Sequence, residues 1–446
     1  MIENYTKIYF IGIGGIGMSS LALYFLDKGK TVGGYDKTKT DLTINLENHG
    51  ALIHYDLKIS EIPLEFRNKQ DTLIIYTPAI SKDNIELDFF IKKSYKLLKR
   101  SEALGLISRN KFCIAIAGTH GKTTTSIILS HLLYENNISF TSFVGGISEN
   151  YNSNYIEKGQ DIILVEADEF DRSFLTLKPN IACITSIDLD HLDIYNSRKD
   201  LQDSFNEFAR NLEKDGMLFK NFDLGIDGIS YGFNSNAEYS IANYKTINDS
   251  SFFDILYENG KCENIRFEMP GKHNASNALA AFAICKNLKI NDADLKKSLG
   301  TFKGVKRRFS YVLKSPKILI DDYAHHPKEI QAIQDSIFSL YPEKIIMAIF
   351  QPHLFSRTRD FMDEFAKTLS MFHEIVLLDI YPAREKPIKD VNSNELLNKI
   401  NNNNKKLLQK IELENHIINS DADVIVIMGA GDISNEVEKI KNAILI

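Results

Sequence analysis

Short apolar runs alternate with amphipathic stretches of helical period along nearly the whole chain, and this alternation restricts its fold more than any other feature. An apolar run too short for a helix, followed by a helix-length amphipathic stretch, cannot close as a tight hairpin. It reads as a parallel strand joined to the next by a crossover helix, so the chain predicts α/β sheets. With 446 residues it exceeds one ordinary core and suits two or three domains of about 100 to 200 residues each.

Three blocks can be separated. The first has a strand at Lys7 to Ile13, a helix from about Met18 to Lys28 and a second strand at Thr31 to Tyr35. Further apolar pieces follow at Asp71 to Tyr76 and Tyr95 to Leu98. A fresh strand, Lys111 to Ala117, leads through a glycine-rich turn into a helix starting near Lys122. The same block holds strands at Asp161 to Val165 and Ile181 to Ile187, β-structure between Met217 and Phe267, and a helix at Ala275 to Leu288. The third alternation runs through Lys317 to Ile320, Lys344 to Phe350, Glu374 to Leu378 and Val424 to Met428. Domain boundaries are therefore expected at 1–105, 106–310 and 311–446. Asn401 to Asn404 reads as a polar loop between helices, and no internal repeat is visible.

Composition narrows the function classes. Hydrophobic residues make up 43% and charged residues 25%, which excludes a disordered chain. The net charge of -6 and the lack of any Lys/Arg block argue against nucleic-acid or membrane partners, so an anionic ligand must be held by local devices. Cys113, Cys183, Cys262 and Cys285 are far apart with no CxxC pair and read as reduced core thiols. The apolar start Ile8-Tyr9-Phe10-Ile11 is cut at once by glycines and lacks a basic flank, so a cytoplasmic location is expected.

Two turns carry phosphate-binding chemistry. Gly12-Ile13-Gly14-Gly15-Ile16-Gly17 follows a strand and precedes a helix, where bare backbone N–H groups can approach a diphosphate. Asp36 closes the second strand, where a Rossmann unit places its ribose-binding carboxylate. A nicotinamide cofactor and a UDP-sugar both fit that pattern. The second turn, Gly118-Thr119-His120-Gly121-Lys122-Thr123-Thr124, supplies an N–H cradle, an ammonium for nucleotide phosphates and a hydroxyl for Mg²⁺. It departs from the full P-loop pattern because Ile116 stands where the first glycine would be. Glu166-Ala167-Asp168-Glu169 and Asp188-Leu189-Asp190-His191 end neighbouring strands on the edge that carries this turn, where Mg²⁺ ligands belong. A solvated acidic loop is the plainer reading of either cluster alone.

Taken together, these residues resemble the Mur ligase family of ATP-dependent amide-forming enzymes in peptidoglycan precursor synthesis. The resemblance runs through all three blocks and rests on the two turns, Glu166-Ala167-Asp168-Glu169-Phe170-Asp171, Asp190-His191-Leu192-Asp193 and Pro270-Gly271-Lys272-His273-Asn274. Arg307-Arg308-Phe309, Asp321-Asp322-Tyr323-Ala324-His325-His326-Pro327 and Phe350-Gln351-Pro352-His353 complete it. It implies a Rossmann-like UDP-sugar domain, a central P-loop-type ATPase domain with a parallel sheet, and a C-terminal Rossmann-like α/β domain. Gly12, Gly14, Gly15, Gly17 and Asp36 would then hold the UDP-sugar. Gly118, Thr119, His120, Gly121, Lys122, Thr123 and Thr124 would cradle ATP, with Asn274 and Asn277 near the adenine, Arg308 on the phosphates and Asp322 on the ribose. Thr123, Glu166 and His191 would hold Mg²⁺, two ions in all, and Lys122, Glu166, His191 and Arg308 would be the catalytic set. Tyr323, His325, Arg357 and Arg359 would take the amino acid, although both arginines also suit the surface of a helix starting near Arg359.

The implied reaction joins L-alanine to the lactyl carboxylate of UDP-N-acetylmuramate through an acyl phosphate, with domain closure assembling the site. No side chain stands out as the base that deprotonates the amine; His191 and His325 are the candidates. Asp190-His191-Leu192-Asp193-Ile194-Tyr195 favours L-alanine over the intact tripeptide that a recycling ligase of the family attaches. A nicotinamide oxidoreductase would leave the Lys122 turn unused, and a non-enzymatic ATP switch would leave the downstream Asn, Arg and Asp residues unexplained.

Overall fold

The computed structural model describes residues 2–81, 83–189, 194–195, 197–258, 260–383 and 385–445. The fold is α/β in three domains, each built on its own run of parallel strands. The chain divides into two compact units, one of 1–190, 196–240 and 277–298, the other of 191–195, 241–276 and 299–446. Among the described residues no helix is long and apolar enough to cross a membrane.

In the first unit, a five-stranded sheet has the order Leu52–His54, Thr31–Tyr35, Lys7–Ile11, Thr72–Tyr76 and Lys96–Lys99. All neighbours pair in parallel. The order reverses beside Lys7–Ile11, so the helix Ile16–Asp27 opens at a switch point, where such sheets bind ligands. One apolar face of the sheet packs Tyr9, Ile11 and Ile74 with Phe66, Leu87 and Phe90 into one cluster. Local signals fix the flanking helices. Thr40 and Thr43 form a reciprocal capping box at Asp41–Asn48, and Asn84 caps Ile85–Lys92.

The same unit holds the middle sheet. From one edge inward run Ser153–Glu157, Phe140–Ser148, Ile162–Glu166, Phe112–Ala117, Ile181–Ile184, Met217–Asn221 and Ile229–Gly232. Only the edge strand Ser153–Glu157 is antiparallel to its neighbour in this stretch. Phe112–Ala117 lies at the centre and feeds Gly118 to Gly121 into the helix Lys122–Glu135. Cys113 and Cys183 on central strands are buried, as are Cys262 and Cys285, and burial pushes both central thiols up to about 12. The core-thiol reading is correct.

The second unit contains the hairpin Ser250–Tyr257 with Gly260–Phe267 and a six-stranded sheet. That sheet runs Ser310–Leu313, Ile318–Asp322, Val424–Met428, Ile346–Phe350, Glu374–Leu377 and Lys405–Leu407, parallel except for its first strand. Its two faces carry separate apolar clusters, as expected for a sheet covered on both sides. Two local expectations need correction. The helix expected to start near Arg359 with both arginines on its surface starts instead at Phe355; Arg357 and Arg359 lie inside Phe355–Asp360, Arg357 buried, and a second helix follows at Met362–Leu369. Asn401 to Asn404 joins the helix Ser393–Lys399 to the edge strand Lys405–Leu407, not to another helix, because Asn404 already accepts a sheet-type bond from Ile375 N–H.

Candidate active site

The loop after Phe112–Ala117 is held by hydroxyls that the sequence alone does not single out. Thr185 and Ser186 follow the neighbouring strand Ile181–Ile184. Ser186 Oγ accepts from His120 N–H at 2.8 Å, and Thr185 Oγ1 donates to the carbonyl of Ala117 at 3.1 Å. Thr119 Oγ1 accepts from Asp188 N–H at 2.9 Å. Gly121 caps the helix at φ +82°, and a Cβ there would lie 2.6 Å from Asn277 Oδ1, so both conformation and space require glycine. Asn277 in turn accepts from Thr125 Oγ1 at 3.2 Å, which places its carboxamide directly against the phosphate loop.

Lys122 Nζ donates to the Gly118 carbonyl at 2.5 Å and sits 2.7 Å from Glu169 Oε2. Burial works against this ammonium, but Glu169, Asp168 and Glu166 outweigh it and hold its pKa above the ordinary lysine value. Thr123 Oγ1 donates to Glu166 Oε1 at 2.8 Å, and Gly145 N–H donates to Glu166 Oε2 at 2.7 Å. Burial raises the Glu166 pKa despite Lys122 and these two donors. A carboxylate that burial penalises gains from a cation, so Glu166 and Thr123 together form an oxygen pair suited to Mg²⁺. That ion needs one or two protein carboxylates, with phosphates and waters supplying the rest. Among the described residues no cluster of three or more His, Cys, Asp and Glu could hold a metal by itself. His191, with Asp190, Leu192 and Asp193, lies outside the described residues.

At the first turn, Gly12 has φ +86° and Gly15 caps the helix Ile16–Asp27. Asp36 Oδ2 accepts from Gly14 N–H at 2.7 Å and Oδ1 from Thr38 N–H at 3.2 Å, so this carboxylate orders the turn. Asn154 donates to the Ile16 carbonyl at 2.6 Å and to Ser19 Oγ at 2.9 Å, tying the helix start to the middle sheet. Arg100 Nη2 donates to Asp168 Oδ2 at 3.2 Å, and Lys99 Nζ lies 3.1 Å from Asp171 Oδ2. The two cations clasp the segment that carries Glu166 and Glu169.

In the second unit, Asp322 is buried, and Oδ2 accepts from Phe309 N–H at 2.6 Å while Oδ1 accepts from Ala324 N–H at 2.7 Å. Burial pushes its carboxyl up to about 7 against the opposing pull of Arg308. Arg308 lies 3.7 Å from Glu329 Oε1 and over the Tyr323 ring. Asn274 sits inside the first turn of the helix Lys272–Asn287 and donates to the Pro270 carbonyl at 2.7 Å. His325 Nδ1 lies 3.1 Å from Glu329 Oε2, and its ring meets Tyr323 and His353 edge-on. Arg357 is buried with Nη1 3.4 Å from His353 Nδ1, so the structure brings Tyr323, His325, His353 and Arg357 together. Arg359 stands apart, half exposed and 2.7 Å from Asp360. His353, stacked on Tyr381, belongs to this cluster although only its neighbours were singled out as site residues.

The comparisons agree with this architecture. Residues 7–112 match the Mur ligase family catalytic domain, 116–285 the Mur ligase middle domain and 307–431 the Mur ligase glutamate ligase domain. The chain is 50% identical to a UDP-N-acetylmuramate–L-alanine ligase of Christiangramia forsetii, covering 100% of this chain and 99% of that one. A ligase of the same name from Porphyromonas gingivalis is 43% identical, with 98% of each chain covered. Among solved structures, the UDP-N-acetylmuramate-alanine ligase of Thermotoga maritima superposes with a TM-score of 0.83 at 28% identity, over 98% of both chains. A murein peptide ligase of Psychrobacter arcticus reaches 0.74 at 21% identity, over 98% of both chains, a likeness of fold alone. With family matches along all three sheets and a half-identical relative over its full length, the chain belongs to the Mur ligase family.

Proposed function

We propose that this chain joins L-alanine to the lactyl carboxylate of UDP-N-acetylmuramate, forming ADP and phosphate, in the cytoplasmic synthesis of peptidoglycan precursors. One observation carries the reading: a phosphate loop with a buried, carboxylate-held Lys122 beside the Glu166–Thr123 pair, in a chain half identical end to end to a ligase of that name. The tripeptide-attaching alternative has weaker support, since the likeness to a murein peptide ligase stands at 21% identity.

Joining a carboxylate to an amine is uphill in water, so the acid must first be activated. The lactyl carboxylate attacks the γ-phosphorus of ATP in line, and ADP leaves. The amine of L-alanine then attacks the resulting acyl phosphate, loses a proton, and phosphate departs from the tetrahedral intermediate. Charge gathers on phosphoryl oxygens in both steps, and Lys122 at the helix N-terminus is placed to neutralise it. Mg²⁺ held by Glu166 and Thr123, with His191 in the second-ion role, would supply further positive charge at the phosphates. Gly118 to Thr124 cradle the nucleotide, and Asn277 lies against that cradle. Asn274, Arg308 and Asp322 keep the adenine, phosphate and ribose roles that the family resemblance implies. Gly12, Gly14, Gly15, Gly17 and Asp36 serve the UDP-sugar, Asp36 by ordering the turn. The cluster of Tyr323, His325, His353 and Arg357 takes L-alanine, with the guanidinium on its carboxylate. Domains of 1–105, 106–310 and 311–446 divide these tasks.

The test is phosphate release from MgATP and UDP-N-acetylmuramate with L-alanine, with tripeptide, and with no amine. Release that requires L-alanine and is abolished in Lys122→Ala is expected. Release with tripeptide alone would move the assignment to the recycling reaction.

A further inference from the structure

The first glycine turn has fewer hydrogen bonds to offer than its sequence suggests. Gly12 and Ile13 N–H both donate to the Tyr35 carbonyl, Gly14 N–H to Asp36 and Gly15 N–H to the Gly12 carbonyl. Four of the turn's donors are thus spent on its own shape. Ile16 and Gly17 remain as the first-turn N–H groups without an acceptor among the described residues. Two N–H groups and a helix dipole are a thin cradle for a diphosphate, the more so with the Asp36 carboxylate close by.

A cation already stands at the right place. Arg100 opens the helix Arg100–Ser108 just beyond the edge strand Lys96–Lys99. A Cβ on Gly17 would lie 2.6 Å from Arg100 Nη1, 3.2 Å from Cδ and 3.3 Å from Cζ. The absence of a side chain at the last glycine of the turn leaves room for a guanidinium to lie on the helix's first turn, beside the two remaining N–H groups. Asp168 holds the other arm at 3.2 Å, which fixes the fork without occupying it. An arginine has five donors, and those on Nη1 and Nε can meet phosphoryl oxygens while Nη2 stays on Asp168.

We propose that Arg100 binds the diphosphate of the nucleotide-sugar, completing the site that the Gly12–Gly17 turn begins. The inference rests on reading that turn as the UDP-sugar site. It also gives the enzyme a direct link between substrates. The arginine that grips the sugar nucleotide is ion-paired to the segment Glu166-Ala167-Asp168-Glu169, which carries the carboxylates facing Lys122 and Thr123.

The experiment measures equilibrium binding of UDP-N-acetylmuramate and of MgADP to the full chain, with KM values from L-alanine-dependent phosphate release. Arg100→Ala should weaken UDP-N-acetylmuramate by about tenfold to a hundredfold, the range for losing a charge-assisted hydrogen bond, while MgADP affinity changes less than about twofold. Arg100→Lys, which keeps the charge and loses the fork, should fall between. Gly17→Ala should act in the same direction by pushing the guanidinium off the helix. If Arg100→Ala lowers the unfolding midpoint sharply, Arg100→Lys and Gly17→Ala decide. Unchanged sugar-nucleotide affinity in these variants, with the alanine-dependent reaction intact, would overturn the role of Arg100 alone. Failure of the wild-type chain to bind UDP-N-acetylmuramate would instead remove the reading beneath it.

Discussion

Glu169 is fully buried and 2.7 Å from the Lys122 ammonium, in the loop proposed to take a nucleotide's phosphates. The ammonium has three donors. Gly118 O takes one at 2.5 Å, Glu169 takes another, and the contact to the Thr119 carbonyl at 3.5 Å is weak. Phosphate oxygens must share or displace Glu169, and its negative charge repels them. Glu169→Gln therefore has two opposite effects. Without nucleotide, Lys122 keeps only the more distant help of Asp168 and Glu166. Breaking a buried pair outright costs about 3 to 5 kcal/mol, and with two carboxylates remaining the loss should be about 2 kcal/mol. That lowers the unfolding midpoint by about 4 to 8 °C for a unit of this size. With nucleotide, the competitor is gone, and MgADP should bind up to about tenfold more tightly, equivalent to about 1.4 kcal/mol. Thermal unfolding with and without saturating MgADP, together with calorimetric titration, reads both effects. A variant whose nucleotide-free midpoint stays within about 1 °C of wild type and whose MgADP affinity does not tighten would refute the reasoning that Glu169 is the resting counter-ion of Lys122.

Two further outcomes follow from the same geometry. Glu86 is fully buried, hydrogen-bonded by Tyr9 at 2.7 Å and 3.4 Å from His54, and burial lifts its carboxyl from the ordinary 4.5 to about 7. A raised acid favours the fold below its unfolded pKa and loses that contribution as pH rises through about 7, so Glu86→Gln should gain on wild type between pH 5 and 8, by up to about 3 kcal/mol in urea unfolding at pH 8.5; a pH-independent difference would contradict this. Arg357→Lys should raise KM for L-alanine at least tenfold, by about 1.4 kcal/mol or more, and leave KM for ATP alone, whereas Arg359→Lys should change either by less than about twofold; equal effects in steady-state assays would undo the separation between the buried and the exposed arginine.

What the sequence made legible was local. Val424–Met428 is found where its apolar run begins and ends, because a strand buried on both faces has nothing else in it. The Lys122 turn was equally plain, since a strand, two glycines and a helix start are contiguous in the chain. The small misses have the same origin. The strand expected over Ile181 to Ile187 ends at Ile184, because Thr185 and Ser186 leave it to hold the phosphate loop with their hydroxyls. Composition cannot distinguish a strand that continues from a loop that is buried for another reason. Arg100 and Asn154 were invisible for a different reason. Each acts on a partner far away in sequence, at Gly17 and Ile16, and a lone polar residue in a string carries no sign of what it will meet.

The two carboxylates that sequence reasoning assigned to riboses, Asp36 and Asp322, illustrate a more general point. Each follows or ends a parallel strand, and each spends its oxygens on backbone N–H groups of a neighbouring turn: Gly14 and Thr38 for one, Phe309 and Ala324 for the other. A carboxylate has about four lone-pair sites, so these bonds leave room for a ligand hydroxyl. They also make the acid part of the scaffold. Removing Asp36 would release Gly14 N–H and loosen the turn, and removing Asp322 would free the segment that carries Arg307, Arg308 and Phe309. Loss of ligand binding in an alanine variant at either position would therefore not separate contact from ordering. The separation lies in Asn variants. Asparagine keeps one acceptor oxygen and the side chain's shape, so Asp36→Asn can keep the 2.7 Å bond from Gly14 and give up only the 3.2 Å bond from Thr38, while Asp322→Asn must give up one of two short bonds, at 2.6 and 2.7 Å. If ordering is the main task, the second substitution is the costlier one, whatever either residue does for a ribose.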